Sequence, residues 1–218
     1  MLNLLITNLT ASAALSTDII TTFAHVFSGP DHLAAVTPLS VATKKKVWKI
    51  GFSWGLGHLG GILIVGVLFL KFKEAIPVEL ISTYSEQLVA WILIAIGVKG
   101  FYSLKRKKEA PKNSQHSSLN ETQQRLLSSL GIGLVHGLAG VSHFLMMLPI
   151  LTFDSPWSSS MYLTGFALGT VSAMTLYAAL IGLASLLSQS NQQWTLSIRS
   201  IAAGFALVIG VYWLFLSV

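Results

Sequence analysis

Histidine recurs inside apolar sequence at two places in this chain, and the two places are copies of one another. The first reads H-V-F-S-G-P-D-H-L-A-A-V-T-P, from His25 to Pro38; the second reads H-G-L-A-G-V-S-H-F-L-M-M-L-P, from His136 to Pro149. His25 aligns with His136, Gly29 with Gly140, His32 with His143 and Pro38 with Pro149, all at an offset of 111. Asp31 precedes the second histidine in one copy and Ser142 in the other. Imidazole is costly in lipid, so an ionisable group within a membrane span is a functional hypothesis by default. Neutral imidazole suits nickel, cobalt, zinc, copper and iron, and a carboxylate adds charge and harder oxygen. His25, Asp31, His32, His136 and His143 thus form a candidate metal-ligand set, with His58 in G-L-G-H-L-G-G as a further member. The chemistry expected is exchange of a divalent cation's water shell for protein ligands, at one site built from two related halves. The substrate expected from these ligands is a divalent transition metal, among nickel, cobalt, zinc, iron, manganese and copper, with no organic cofactor.

A bland reading stands beside each residue. A lone membrane histidine can simply hydrogen-bond a backbone carbonyl, and for His58 both readings stay open. For the four repeated histidines the duplication favours function. Met146 and Met147 read as packing, and His116 as a solvated linker residue. Asp18 is expected near the outer mouth, either solvated or drawing cations in.

Composition sets the scaffold. The chain has 218 residues, 53% hydrophobic and 10% charged, with mean hydropathy +0.68; a soluble domain carries about 25% charged residues. It reads as an all-α integral membrane protein. There is no cysteine, which excludes disulfides, thiolate metal sites and thiol redox chemistry. The net charge of +6 does not imply nucleic acid, because ten of the 14 Lys and Arg lie in two short clusters, Lys44–Lys49 and Lys105–Arg125. Basic loops beside spans are the ordinary positive-inside signal. The opening M-L-N-L-L-I-T-N lacks a positive n-region and reads as mature sequence.

Spans need about 20 mainly apolar residues. Six helices are predicted, at 13–42, 50–70, 86–104, 126–152, 158–187 and 196–217. The first and fifth are long enough to tilt or break, and Gly29-Pro30 is the expected break in the first. Pro38 and Pro149 are further helix-weakening positions. The expected domains are a three-helix repeat over 1–104, a basic cytoplasmic linker over 105–125 and a second three-helix repeat over 126–218. Two weaker matches extend the copy: Trp54–Gly61 with Thr164–Ser172, and Ile96–Tyr102 with Ile209–Phe215. Three crossings per half is odd, so the second half must enter from the opposite face. The fold class is six transmembrane helices as two inverted three-helix repeats, with broken helices at the midplane. The basic clusters place both termini outside the cytoplasm, in a multi-pass protein of a bacterial inner membrane. The partners expected are the bilayer and a metal ion, with self-association into a homo-oligomer left open and nucleic acid excluded.

H-V-F-S-G-P-D-H-L resembles the histidine–aspartate–histidine signature of the nickel/cobalt transporters, with five residues between His25 and Asp31 where the signature has four. With G-x-x-W-G-L-G-H and six spans, the chain resembles their shorter relatives, the UreH-like urease-accessory membrane proteins of the LysE-type transporter superfamily. The resemblance covers most of both halves and implies metal handling at His25, Asp31 and His32. The expected function is membrane transport of a divalent transition-metal cation, not enzymatic catalysis. The alternative is a non-transporting accessory subunit for metalloenzyme assembly. Thiol–disulfide electron carriers of the CcdA/DsbD type also use duplicated three-helix halves, but need paired cysteines. An intramembrane hydrolase using Ser28 or Ser142 lacks a G-x-S-x-G elbow, and adjacent Ser142 and His143 would not face each other on a helix.

Overall fold

The computed structural model describes residues 2–43, 46–72, 78–109, 118–139, 148–188 and 191–216. These form α1 (Leu2–Ser28), α2 (Pro30–Ala42), α3 (Trp48–Phe72), α4 (Val78–Glu109), α5 (Ser118–Leu138), a 3₁₀ turn at Leu148–Thr152, α6 (Pro156–Leu187) and α7 (Gln192–Leu216). Four helices are long and apolar enough to cross a bilayer, over Trp48–Leu68, Glu86–Lys105, Pro156–Leu187 and Gln192–Phe215. Their outer faces carry exposed Leu63, Ile64, Val67 and Leu68 on α3 and Leu176, Leu180 and Leu183 on α6. Helices apolar on both their packed and their outward faces belong in lipid, and the chain is an integral membrane protein. α1 and α5 are not among the four. α1 carries Asn3, Asn8 and Asp18, and α5 opens on the polar run Ser118–Arg125.

The predicted first helix, 13–42, is two helices. α1 ends at Ser28, Gly29 is extended with φ −81° and ψ 101°, and Pro30 opens α2. Proline at the first helical position needs no donor and has its φ preset. α2 then continues through Pro38 to Ala42. Only 13 residues long, it lies against every other α-helix, and Ala34, Ala35 and Val36 are fully buried. That packing offsets the ladder bond lost at Pro38. The predicted helix 126–152 is also not continuous. α5 stops at Leu138, residues 140–147 lie outside the described residues, and Leu148–Thr152 is 3₁₀. α4 runs on to Glu109 and α5 begins at Ser118, beyond the ends predicted from hydropathy, because a charged helix can continue past its apolar stretch.

Helix directions follow from close contacts. α1 and α6 run parallel: Gly165 abuts Leu15 and Asp18, and Gly169 abuts Ile19 and Thr22. α3 and α5 are also parallel, with Gly57 against Leu130 and Gly61 against Leu134. α3 and α6 are antiparallel, with Gly51 against Met174 and Gly55 against Val171. α4 and α7 are antiparallel too, with Gly100 against Ala203 and Gly210 against Ala90. One apolar core, including Val26, Ile50, Trp54, Leu93, Met174 and Ala206, joins these pairs around α2.

Candidate metal centre

The break in the first segment makes the site. Gly29 donates its N–H to the His25 carbonyl at 2.9 Å, ending α1. The chain then turns so that Asp31 and His32 open α2. A Cβ at Gly29 would stand 2.6 Å from His32 Nδ1 and 3.0 Å from Asp31 Oδ1, so only glycine fits this approach. Asp31 lies in the first turn of α2, where the helix dipole favours an anion. His25, the last basic group of α1, is brought to 5.2 Å from His32, ring centre to ring centre.

The second pair of elements is α3 and α5. Ser53 donates to the Leu126 carbonyl at 2.8 Å, and Ser129 donates to the Ile50 carbonyl at 2.7 Å. A methyl on Gly57 would strike the Leu130 carbonyl, and one on Gly137 the His58 carbonyl. This small-residue seam is the usual means of close helix approach in lipid. It presents His58 and His136 to the same space, with ring centres 5.6 Å apart. Arg125, at the start of the seam, donates to the Ala42 carbonyl at 2.7 Å and so ties α5 to the end of α2.

The five groups meet around Asp31 and His32. His32 Nδ1 lies 3.1 Å from Asp31 Oδ1, and His136 Nε2 lies 3.0 Å from Asp31 Oδ2. The His32 ring is 4.8 Å from His136 and 5.2 Å from His58. Asp31, His32, His58 and His136 are all buried. An ionised carboxylate only accepts, so each imidazole donates to it. His32 then donates from Nδ1 and His136 from Nε2, and each turns its other nitrogen's lone pair elsewhere. A carboxylate that fixes the tautomer of a neighbouring imidazole is a common feature of metal sites. One ligand atom each from Asp31, His32 and His136 lie within 4.8 Å of one another. Two ligands bound at about 2 Å to one ion stand up to roughly 4 Å apart, so a cation that displaces the two N–H protons would need only a small closure to bridge them.

Of the six residues expected from sequence, His25, Asp31, His32, His58 and His136 are brought together. His143 lies outside the described residues, as do Ser142, Met146, Met147 and His116. Asp18 is not part of the cluster and is not solvated. It is fully buried, because α6 covers the face of α1 that carries it. Trp54 was not expected. It is fully buried, stacks on His58 at 4.7 Å with an interplanar angle of 18°, and lies 5.3 Å from His136 and 5.5 Å from His32. Its signal in the sequence is its spacing: residues 54 and 58 share a helix face.

Residues 32–212 match the family model described as cytochrome c biogenesis protein transmembrane region. The chain is 32% identical over 203 residues to Chloroplast protein FOR GROWTH AND FERTILITY 2 of Arabidopsis thaliana, covering 86% of this chain and 54% of that protein. It is 31% identical over 210 residues to FOR GROWTH AND FERTILITY 1 of the same plant, covering 86% of this chain and 56% of the relative. The chain therefore spans about half the length of these two relatives. Urease accessory protein UreH of Bacillus sp. (strain TB-90) is 31% identical over 194 residues, covering 85% of this chain and 84% of that protein. No solved structure matches. The sequence has no cysteine, so it has no thiol pair with which to do disulfide chemistry. With most of both halves aligned, the chain belongs to the cytochrome c biogenesis transmembrane-region family and is a UreH-like member of it.

Proposed function

We propose that this protein is a transporter of a divalent transition-metal cation, nickel or cobalt, through the cluster of His25, Asp31, His32, His58 and His136, with His143 completing the set from the second repeat. The observation that carries the reading is the convergence of four imidazoles and a carboxylate inside a membrane protein, at a break between two helices. Imidazole with one carboxylate favours nickel, cobalt or zinc over magnesium or calcium. Broken helices at membrane depth are tolerated where they face protein or a wet cavity, and transporters place their substrates at such breaks.

The wider architecture proposed is six spans in two inverted repeats, 1–104 and 126–218, joined by the basic segment 105–125 on the cytoplasmic side. Partner exchange supports it. α1 pairs with α6 and α3 with α5, each in parallel, while α3–α6 and α4–α7 pair antiparallel. Corresponding helices of the two halves therefore run in opposite directions. An inward-moving divalent cation gains about 4.6 kcal/mol per 100 mV of membrane potential, twice the single-charge value, so uptake could run on the potential alone.

The name of the bacterial relative, urease accessory protein, favours a second reading: a non-transporting membrane subunit that hands metal to an enzyme under assembly. Flux into proteoliposomes loaded with a nickel-sensitive dye separates the two. Transport predicts protein-dependent entry of Ni²⁺ that His32→Ala abolishes. Binding without entry would reject transport and leave the accessory reading.

A further inference from the structure

A second buried carboxylate sits apart from the histidines. Asp18 is 0% exposed and lies seven residues before His25, two turns or about 10 Å along α1. α1 turns Ala11, Ala14, Asp18 and Thr22 inward. Glycines on α6 let the helices close there: a Cβ on Gly165 would stand 3.2 Å from Asp18 Cβ, and one on Gly169 3.0 Å from Thr22 Cβ.

The surroundings of Asp18 do not suit an ionised carboxylate. Among the described residues no Lys, Arg or His pairs with it. Thr21 and Thr22 reach Oδ1 only at 3.4 Å each, and the Thr21 hydroxyl has a nearer acceptor in the Thr17 carbonyl at 3.0 Å. The Tyr162 hydroxyl hydrogen-bonds the carboxyl from α6, a neutral partner that supplies no compensating charge. Oδ2 accepts no hydrogen bond among the described residues. Charged acceptors draw short bonds, roughly 2.5–2.9 Å, and an unpaired buried charge costs far more than a neutral polar group. The repeat makes the position singular. The offset of 111 sets Ser129 opposite Asp18, and Ser129 is a neutral group whose hydroxyl is satisfied by the Ile50 carbonyl at 2.7 Å.

We propose that Asp18 is a proton-binding site on the α1–α6 interface, and that its proton moves in exchange for the metal. The second clause rests on the transporter reading. Exchange requires a group that gives up its proton when metal binds and regains it when metal leaves. A divalent cation at the histidines favours the ionised form of a carboxyl about 10 Å away, and Asp18 stands at that distance along α1. The step is a single O–H bond formed on one side of the membrane and broken on the other. The proton comes from bulk water and returns to it, and one net charge moves per metal ion exchanged.

The site itself is tested by infrared difference spectroscopy of purified protein in lipid nanodiscs. Wild type should show a protonated-carboxyl C=O band that disappears in Asp18→Asn and shifts in Asp18→Glu, with both variants eluting as folded protein. A band unchanged in Asp18→Asn would overturn the proposal. So would an Asp18-dependent rise in thermal stability with sodium at constant pH and ionic strength, which would assign a sodium ion instead. The coupling is tested in proteoliposomes with pH-sensitive and nickel-sensitive dyes. Wild-type Ni²⁺ flux should carry opposite proton flux, and Asp18→Asn should lose that proton flux and the Ni²⁺ accumulation driven by an imposed pH gradient at zero membrane potential. Proton coupling retained in Asp18→Asn would refute the exchange role. Absence of any wild-type Ni²⁺ flux would refute transport and the exchange role together, while the infrared band would still decide whether Asp18 binds a proton.

Discussion

Asp31 is the residue on which the candidate metal centre turns. Its two oxygens reach two imidazoles from different halves of the chain, so one carboxylate fixes both rings. His32→Ala is expected to abolish Ni²⁺ binding in isothermal titration. Asp31→Asn should weaken it by at least the ten- to hundredfold typical of groups that orient a metal's ligands. His116→Ala, in the polar linker sequence, should leave affinity unchanged. Wild-type affinity in a variant lacking both His25 and His32 would remove the site. The pH dependence has a definite sign. A protonated imidazole cannot ligate, and the ordinary imidazole value lies near 6.5. Binding should therefore be full at pH about 7.5 and fall steeply toward pH about 5.5. Affinity that holds or rises over that interval would show that imidazole is not the ligand.

At the scale of elements, the α3–α5 seam decides whether His58 and His136 meet the rest. Gly137 abuts the His58 carbonyl, whereas Gly131 on the same helix has nothing within 4 Å of where a Cβ would stand. Gly137→Val should destabilise by about 1–3 kcal/mol through overpacking and should also weaken metal binding by parting the two rings. Gly131→Ala should be neutral or stabilising by up to about 1 kcal/mol, the ordinary gain of alanine over glycine in a helix. Thermal unfolding in detergent, read beside Ni²⁺ titration, checks both. Equal effects of the two substitutions would mean that helix propensity, not close approach, governs this seam. The break at Gly29 acts in the same way on the first segment. It ends α1 where His25 can face back toward His32, and it gives α2 the position at the centre of the bundle.

At the scale of the whole molecule, helix directions and charge make one joint prediction. The clusters Lys44–Lys49 and Lys105–Arg125 hold most of the cations, and basic loops stay in the cytoplasm. With no native cysteine, a single Asn113→Cys substitution gives a clean topology probe. A membrane-impermeant maleimide should label it only after cells are opened. Labelling in intact cells would invert the orientation and place both termini in the cytoplasm. The antiparallel α4–α7 pair and the parallel α1–α6 pair should be unaffected by that result, since they are set by packing.

The sequence by itself determined the membrane class, from composition, and offered a candidate ligand set, from a duplicated motif joined by His58 of the second span. It also located the break, because Gly29-Pro30 cannot continue a helix cheaply. Each of these is a property of local chemistry or of short-range spacing. It did not place α2, since a 13-residue segment containing Pro38 reads as the weak end of one long span rather than as the centre of a bundle. Nor did it decide the role of Trp54, whose stacking on His58 depends on α3 and α5 closing to backbone contact. For Asp18 the sequence suggested the outer mouth, either solvated or drawing cations in, and the tertiary structure buried it against α6, because only the packed α6 shows which face of α1 is covered. Convergence of His25, Asp31 and His32 with His136, more than a hundred residues away, rests on α3 carrying α5 against α2. That long-range contact is fixed by glycines whose partners no local spacing reveals.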